Sequence, residues 1–193
     1  MPKKILGIDP GSRKTGYAVL VQQNNKYSIE ICDVIRLDHI EDHTERLQLI
    51  FDEISRLVKK YKPDECAVET PVYGVDPLAM LKLGRAQAAA ILAVSNEGLE
   101  IAEYYPKAVK KSITGNGNAS KQQVAFMLDK MVQLPDKNLS QDATDALAVA
   151  WCHLTHSGIR SSSGGSKKMH QNNRKSGWAQ FIEDNPDRVR DDH

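Results

Sequence analysis

Four carboxylates stand at positions where burial or crowding would make an acid reactive. Asp9 ends an apolar run, Ile5, Leu6 and Ile8, and is followed at once by Pro10 and Gly11, which force a turn. Glu69 ends the short β-prone run ECAVE, residues 65–69. Asp142 and Asp145 are three apart in DATDALA, a spacing that points both the same way on a helix. An acid at the end of an apolar strand needs a partner, because an unpaired buried charge is costly. A Lys or Arg across a sheet is one solution for Asp9. Asp142, in a first helical turn, is explained cheaply as a complement to the helix dipole. Asp145, a turn further in beside an apolar stripe, is explained less well that way. If the four acids share one sheet edge, two unit charges at about 4 Å repel by ~4 kcal/mol at an effective dielectric near ~20. Either protons are taken up or cations bind. All-oxygen donors, with neither Cys nor His placed for the role, favour Mg²⁺ or Mn²⁺ over zinc. Two such ions roughly 3.5–4 Å apart activate a water and stabilise the leaving oxygen of a phosphodiester. The chemistry expected is metal-dependent hydrolysis of a nucleic-acid backbone, with nearby lysines on the flanking phosphates.

The elements that must position these acids follow from pattern. A hairpin, a strand with its turn and a second β-prone run over residues 17–21, occupies residues 4–20 and just beyond. Alternation over residues 27–31 gives a third strand, so the first three form an antiparallel meander. Asp42 with Glu45 starts a helix whose apolar face runs from Leu47 through Ile50, Ile54 and Val58 to Tyr61, and Pro63 ends it. Asp76 caps and Pro77 opens a second helix, rich in small residues, that runs to about Asn96 with Gly98 as its stop. Its small side chains permit close approach by a second copy. Residues 99–105 form a fifth strand, Pro106 starts a basic helical turn, and GNGN at 115–118 is a loop. Ser120 with Gln123 is a capping box, which places Lys121 at a positive helix N-terminus suited to phosphate. Ser140 caps the helix that carries Asp142 and Asp145.

The 193 residues, 40% hydrophobic and 26% charged, suit one globular domain with a real core and some excess. The domain is expected over residues 1–157, followed by a polar, low-complexity tail over 158–193 expected to lack order, in which Trp178, Phe181 and Ile182 suggest a short partner-binding helix. The domain holds 19 basic against 20 acidic residues and the tail 7 against 5. Net charge is only +1, yet residues 107–121 carry Lys107, Lys110, Lys111 and Lys121 with no acid, and Arg13 and Lys14 flank the opening turn. No apolar run is expected to reach transmembrane length and no signal pattern opens the chain, so the expectation is a cytoplasmic protein without a membrane partner. Cys32, Cys66 and Cys152 read as reduced thiols.

At these residues the sequence resembles a known family. GIDPGSRKTGY around Asp9, AVET at Glu69, LKLG at 81–84 and DATDALA at 142–148 are similar to the RuvC family of Holliday junction resolvases, in family order and spacing, over about residues 3–156. The resemblance implies an α/β, ribonuclease H-like fold, a mixed five-stranded sheet flanked by helices. It implies a homodimer that cuts two symmetric strands of a four-way DNA junction in recombination and repair, using Mg²⁺. It also implies RuvA and RuvB as a branch-migration partner complex. Asp9, Glu69, Asp142 and Asp145 match the family's catalytic, metal-holding acids. Lys110 and Lys121 fall where the family places basic residues near the scissile DNA, whereas Lys107, Lys111 and Arg13 are DNA-binding candidates by charge alone. Where family members often carry a wedging phenylalanine, this chain has Val72 with Tyr73 beside it, and Tyr73 is the candidate for the aromatic role.

Two other readings fit parts of the pattern. An actin- or sugar-kinase-type phosphotransferase also opens on an Asp-x-Gly turn, but needs two such domains where this chain has one. A catalytically silent DNA-binding scaffold of the same fold would not need all four acids.

Overall fold

The computed structural model describes residues 2–72, 74, 76–132, 134 and 139–162. Tyr73 and the expected tail segment around Trp178 lie outside the described residues. Five strands, β1 (Lys3–Asp9), β2 (Lys14–Gln23), β3 (Lys26–Arg36), β4 (Glu65–Glu69) and β5 (Ile101–Tyr104), form one sheet in the order β3-β2-β1-β4-β5. The first three pair antiparallel; β4 lies parallel to β1, and β5 parallel to β4. The third strand is longer than the alternation over 27–31 suggests. Its pairing with β2 runs from Lys26 to Arg36, with a register shift between Val19 and Leu20. Strand β5 is shorter than expected, because Tyr105 already caps the following helix.

The parallel pairs need crossovers. Helix α1 (His43–Tyr61) links β3 to β4, and α2 (Pro77–Asn96) links β4 to β5. The Asp42 carboxylate accepts from the Glu45 amide at 2.9 Å, and the Asp76 carboxylate from the amides of Leu78 and Ala79, as their cap positions predict. Three helices follow, α3 (Pro106–Thr114), α4 (Lys121–Val132) and α5 (Gln141–Ser162). Gln123 and Ser120 bond reciprocally, side chain to backbone, so the predicted capping box is real. Ser140 Oγ accepts from the Ala143 amide.

Strand alternation sorts the helices onto two faces. Leu6, Ile8, Val19, Cys66 and Val68 pack against Ile50, Ile54 and Val58 of α1 and the alanines of α2. Ile5, Ala18, Leu20 and Ala67 face α3, α4 and α5 through Val109, Leu128, Leu147 and Trp151. By the same parity Asp9 shares a face with Ile5 and Gly7, and Glu69 with Ala67. Both therefore turn toward α5.

Among the described residues, α2 is long and apolar enough to cross a membrane by length and composition alone, contrary to the expectation that no run reaches that length. Its own Ala86, Ala90, Ala93 and Val94 are buried, as in a helix that covers a sheet. Its outward face carries exposed Leu78, Leu81 and Leu92 at helical spacing.

Helix α5 meets the sheet backbone to backbone. A Cβ on Gly7 would stand 2.2 Å from the Ala146 carbonyl oxygen, and one on Gly16 would stand 1.9 Å from the Asp142 carbonyl oxygen. Neither neighbour is a flexible side chain, so any larger residue must push the helix off the strands. By contrast, a Cβ on Gly84 within α2 meets nothing within 4 Å. We therefore expect Gly7→Val to lower stability in urea unfolding by ~1–3 kcal/mol or more, and Gly84→Ala to raise it by about 0.5–1 kcal/mol. Equal midpoints for the two variants would contradict the close seating of α5.

Candidate active site

The strand ends and the helix start converge at one edge. β1 delivers Asp9 and β4 delivers Glu69 as parallel neighbours, in register from Ile5 opposite Glu65 to Ile8 opposite Val68. The turn after Asp9 is tied down rather than loose. Buried Thr15 donates its hydroxyl to the Gly11 carbonyl at 3.1 Å and accepts from the Gly11 amide at 3.4 Å. Arg46 of α1 donates to the Ser12 carbonyl at 3.1 Å and to the Ile40 carbonyl at 2.6 Å. A Cβ on Gly11 would fall 2.1 Å from the Lys14 carbonyl oxygen, so a close backbone approach fixes glycine here. On the other side, the Thr70 amide donates to the Tyr104 carbonyl, which holds the chain after Glu69 against β5.

All four predicted acids reach this edge. A cavity of about 280 Å³ is lined by Asp9, Glu69 and Asp145 together with Lys110 and Lys121. A second, of about 310 Å³, is lined by Asp9, Glu69 and Asp142 together with Gly11 and Lys14. Asp9 and Glu69 thus border both hollows, with Asp145 on one side and Asp142 on the other.

The electrostatics follow from that crowding. Burial first, then the charges of Glu69 and Asp145, push the Asp9 carboxyl up from 3.8 to about 8. Burial and Asp145 push Glu69 up from 4.5 to about 7, although Lys121 and Lys110 draw it down. Lys121 Nζ forms an ion pair with Asp145 Oδ2 at 2.6 Å. Burial alone would lower the Lys121 ammonium, but the bond and charge of Asp145, with the charges of Asp9 and Glu69, outweigh it and raise it.

The basic candidates separate by position. Lys110 and Lys121 border the acids, whereas Lys107 lines a neighbouring cavity with Lys110 and does not border the acids. Lys111 gives its carbonyl to the Gly115 amide at the end of α3. Arg13 is exposed in the turn, and its neighbour Lys14 is the one that lines a cavity with Asp9 and Glu69. Sequence reasoning noted Lys14 only as charge. The signal available was parity, since Lys14 is the first residue of β2 and the turn ends there. Tyr105, exposed beside Pro106, is a second aromatic near the site, and nothing in its sequence neighbourhood marks it.

The donor set suits a hard divalent cation in kind: carboxylate oxygens in a part-buried site with one ammonium among them. Among the described residues, however, no group of three or more His, Cys, Asp or Glu is arranged to hold an ion as it stands. Lys121, paired with Asp145, supplies positive charge among these acids.

Similarity to known proteins extends over most of the chain. The family model for crossover junction endodeoxyribonuclease RuvC matches residues 5–153. The chain belongs to the RuvC family. Crossover junction endodeoxyribonuclease RuvC of Salinibacter ruber is 46% identical over 186 residues, covering 96% of this chain and 98% of that protein. Its counterpart in Porphyromonas gingivalis is 43% identical and covers 96% of each chain. A share that large cannot be reached without residues beyond 157, so the likeness extends into the segment where the sequence-level resemblance stopped. Among solved structures, Thermus thermophilus RuvC in complex with a Holliday junction substrate superposes with a TM-score of 0.76 at 26% identity, covering 82% of this chain and 96% of that one. Yeast mitochondrial Holliday junction resolvase, 16% identical with a TM-score of 0.61, shares the fold. The mixed five-stranded sheet flanked by helices is thus the ribonuclease H-like fold of RuvC proteins.

A pH dependence follows from the two raised carboxyls. In the unfolded chain Asp9 and Glu69 ionise near 3.8 and 4.5, but in the folded, metal-free protein they hold protons to about 8 and 7. Between those values the folded state binds more protons, so its stability falls as pH rises. We expect the thermal midpoint in chelator to drop from about pH 4 to about pH 8 relative to Asp9→Asn, which lacks the larger shift. At the upper end of that range the variant should be the more stable protein. A wild-type midpoint that climbed relative to the variant across this window would contradict the raised carboxyls.

Proposed function

We propose that this chain is a structure-specific endonuclease that resolves four-way DNA junctions by hydrolysing a phosphodiester in each of two symmetric strands. The observation that carries the reading is the meeting of Asp9, Glu69, Asp142 and Asp145 at one sheet edge, with Lys110 and Lys121 beside them. Membership of the RuvC family points to the same substrate.

The residues divide the labour by position. Asp9 and Glu69, which border both hollows, would hold Mg²⁺ or Mn²⁺, with Asp145 completing one side and Asp142 the other. Bound there, the cations would activate a water and stabilise the leaving oxygen. The protein's own part is to release protons from Asp9 and Glu69, which keep them near neutral pH while no cation is present. Lys121 must give up Asp145 and is then free for a DNA phosphate, and Lys110 reaches the same hollow. Val109 and Val124 line it as well, and such apolar walls limit water around the charges. Lys107 and Lys14 extend the positive rim to either side.

Symmetric cutting requires two sites, so the active form is a homodimer. The exposed Leu78, Leu81 and Leu92 stripe of α2 supports that helix as the contact. RuvA and RuvB are the branch-migration partners that this reading implies, and the cytoplasm is its compartment. The competing scaffold reading predicts indifference to loss of an acid.

On a labelled synthetic four-way junction with Mg²⁺, we expect paired, symmetric nicks that EDTA abolishes and that a linear duplex does not show. Asp9→Asn should fold, dimerise and bind the junction, yet cut more than ~10²-fold more slowly, since even groups that only support a metal ligand cost ~10–100-fold when removed. Wild-type cutting by that variant would remove Asp9 from the chemistry, whereas junction binding without any cutting by the wild type would leave the scaffold reading standing. Leu81→Glu with Leu92→Glu should shift the protein to a monomer in sedimentation at micromolar concentration and lose paired nicking. A double variant that stayed dimeric would exclude α2 as the contact.

A further inference from the structure

Beside the acids lies a larger hollow that the cutting chemistry does not use. It has a volume of about 740 Å³ and is lined by Val72, Tyr105, Pro106 and Lys107, by Lys110, which it shares with the cavity of the acids, and by the loop residues Gly117 and Asn118. Two large apolar side chains stand open in it, Tyr105 at 63% exposure and Val72 at 57%. Tyr105 is the cap residue of α3, yet its side chain makes no capping bond. The aromatic face is therefore not spent on the helix it precedes.

The loop wall is built to hold its shape. Thr114 Oγ1 donates to the Asn116 carbonyl at 2.9 Å and accepts from the Asn116 amide at 3.2 Å, while the Asn118 amide donates to the Asn116 side chain at 3.0 Å. Gly117 lies so near α3 that a Cβ there would be 3.0 Å from the Lys107 carbonyl oxygen. A loop closed on itself and on the helix leaves Asn118 at a fixed rim.

We infer that this hollow seats one unpaired nucleobase of the substrate strand next to the scissile phosphate, stacked on Tyr105, and that it contributes a base preference to cutting. The occupant follows from three features. The hollow shares Lys110 and Pro106 with the cavity of the acids, so whatever fills it is continuous with what is cut. Lys107 and Lys110 flank it with positive charge, as the phosphates on either side of a base require. Its apolar wall offers an aromatic ring, on which any base can stack, beside an amide able to meet a base edge. A base must leave its pair to enter, and the crossover of a four-way junction is where paired strands part. The inference rests on the junction-cutting reading above but not on Tyr73, and it adds a residue from a different segment.

The test uses the full-length protein in chelator, which keeps the DNA whole, and synthetic junctions carrying 2-aminopurine at each nucleotide around the cut position in turn. Anisotropy of a distal dye reports junction binding separately from the base. Wild-type protein should change the 2-aminopurine signal at one position by ~2-fold or more, as ring stacking does. Tyr105→Phe should keep the change. Tyr105→Ala, an exposed position whose loss leaves the fold and unfolding midpoint intact, should abolish it and weaken junction binding by ~10-fold. With Mg²⁺, Tyr105→Ala should also flatten the dependence of cutting rate on the base at that position. A signal unchanged by Tyr105→Ala, no responsive position despite binding by anisotropy, or equal loss in Tyr105→Phe would each overturn the inference while leaving the junction reading intact. No junction binding by the wild type would overturn both.

Discussion

Repulsion among half-buried carboxylates is the constraint on which this site depends. Asp9 and Glu69 are held in low dielectric, near each other and near Asp145, and their protons are retained far above the usual range. A fold that wanted only stability would not keep such a cluster. The ion pair of Lys121 with Asp145 relieves part of it. The remainder is a standing demand for positive charge, which Lys110 at the same hollow also helps to meet. Retained protons and the Lys121 ammonium both answer the same crowding of negative charge, so the two are coupled.

The sheet supplies the geometry for this competition through parity and direction alone. Two parallel strands that end together put Asp9 and Glu69 side by side, and their odd-numbered face is the one that α5 covers. The crossover helices α1 and α2 pack on the other face and reach the site from its margin, Arg46 of α1 holding the turn at Ser12 and Leu83 of α2 lining the second hollow. That leaves Leu78, Leu81 and Leu92 exposed on the outward side of α2. It also lets α3 and α4 carry the lysines independently of the acids.

Much of this was legible in the residues. The strand-turn-strand at Asp9, the cap at Asp76, the capping box at Ser120 and the four acids are local signals, set by a few neighbouring residues, and they stand where the sequence implied. What escaped were non-local facts. The extent of β3 is set by its pairing with β2 as far as Arg36 opposite Lys14, which the alternation in residues 27–31 does not encode. Lys14 rather than Arg13 borders the acids because of how Thr15 and Arg46 fix the turn. Tyr105 gains its place only when α3 and the loop at 115–118 close around one hollow, which spacing along the chain cannot show. The Lys121–Asp145 pair joins residues 24 apart and likewise appears only in the folded chain.

The glycines at positions 7 and 16 carry a wider consequence. Where a helix rests on a sheet through side chains, rotamers act as a soft gasket, and small repacking lets the two layers drift. Here the backbone of α5 touches the strands directly at Ala146 and Asp142. The offset between the acids of the helix and those of the strands is therefore set by covalent geometry and van der Waals radii, with almost no compliance. Such a seat resists thermal loosening, and it prevents tuning of the acids from the core. Variation at this site is therefore left to its rim, where Lys110 and Lys121 stand on α3 and α4 rather than on the sheet.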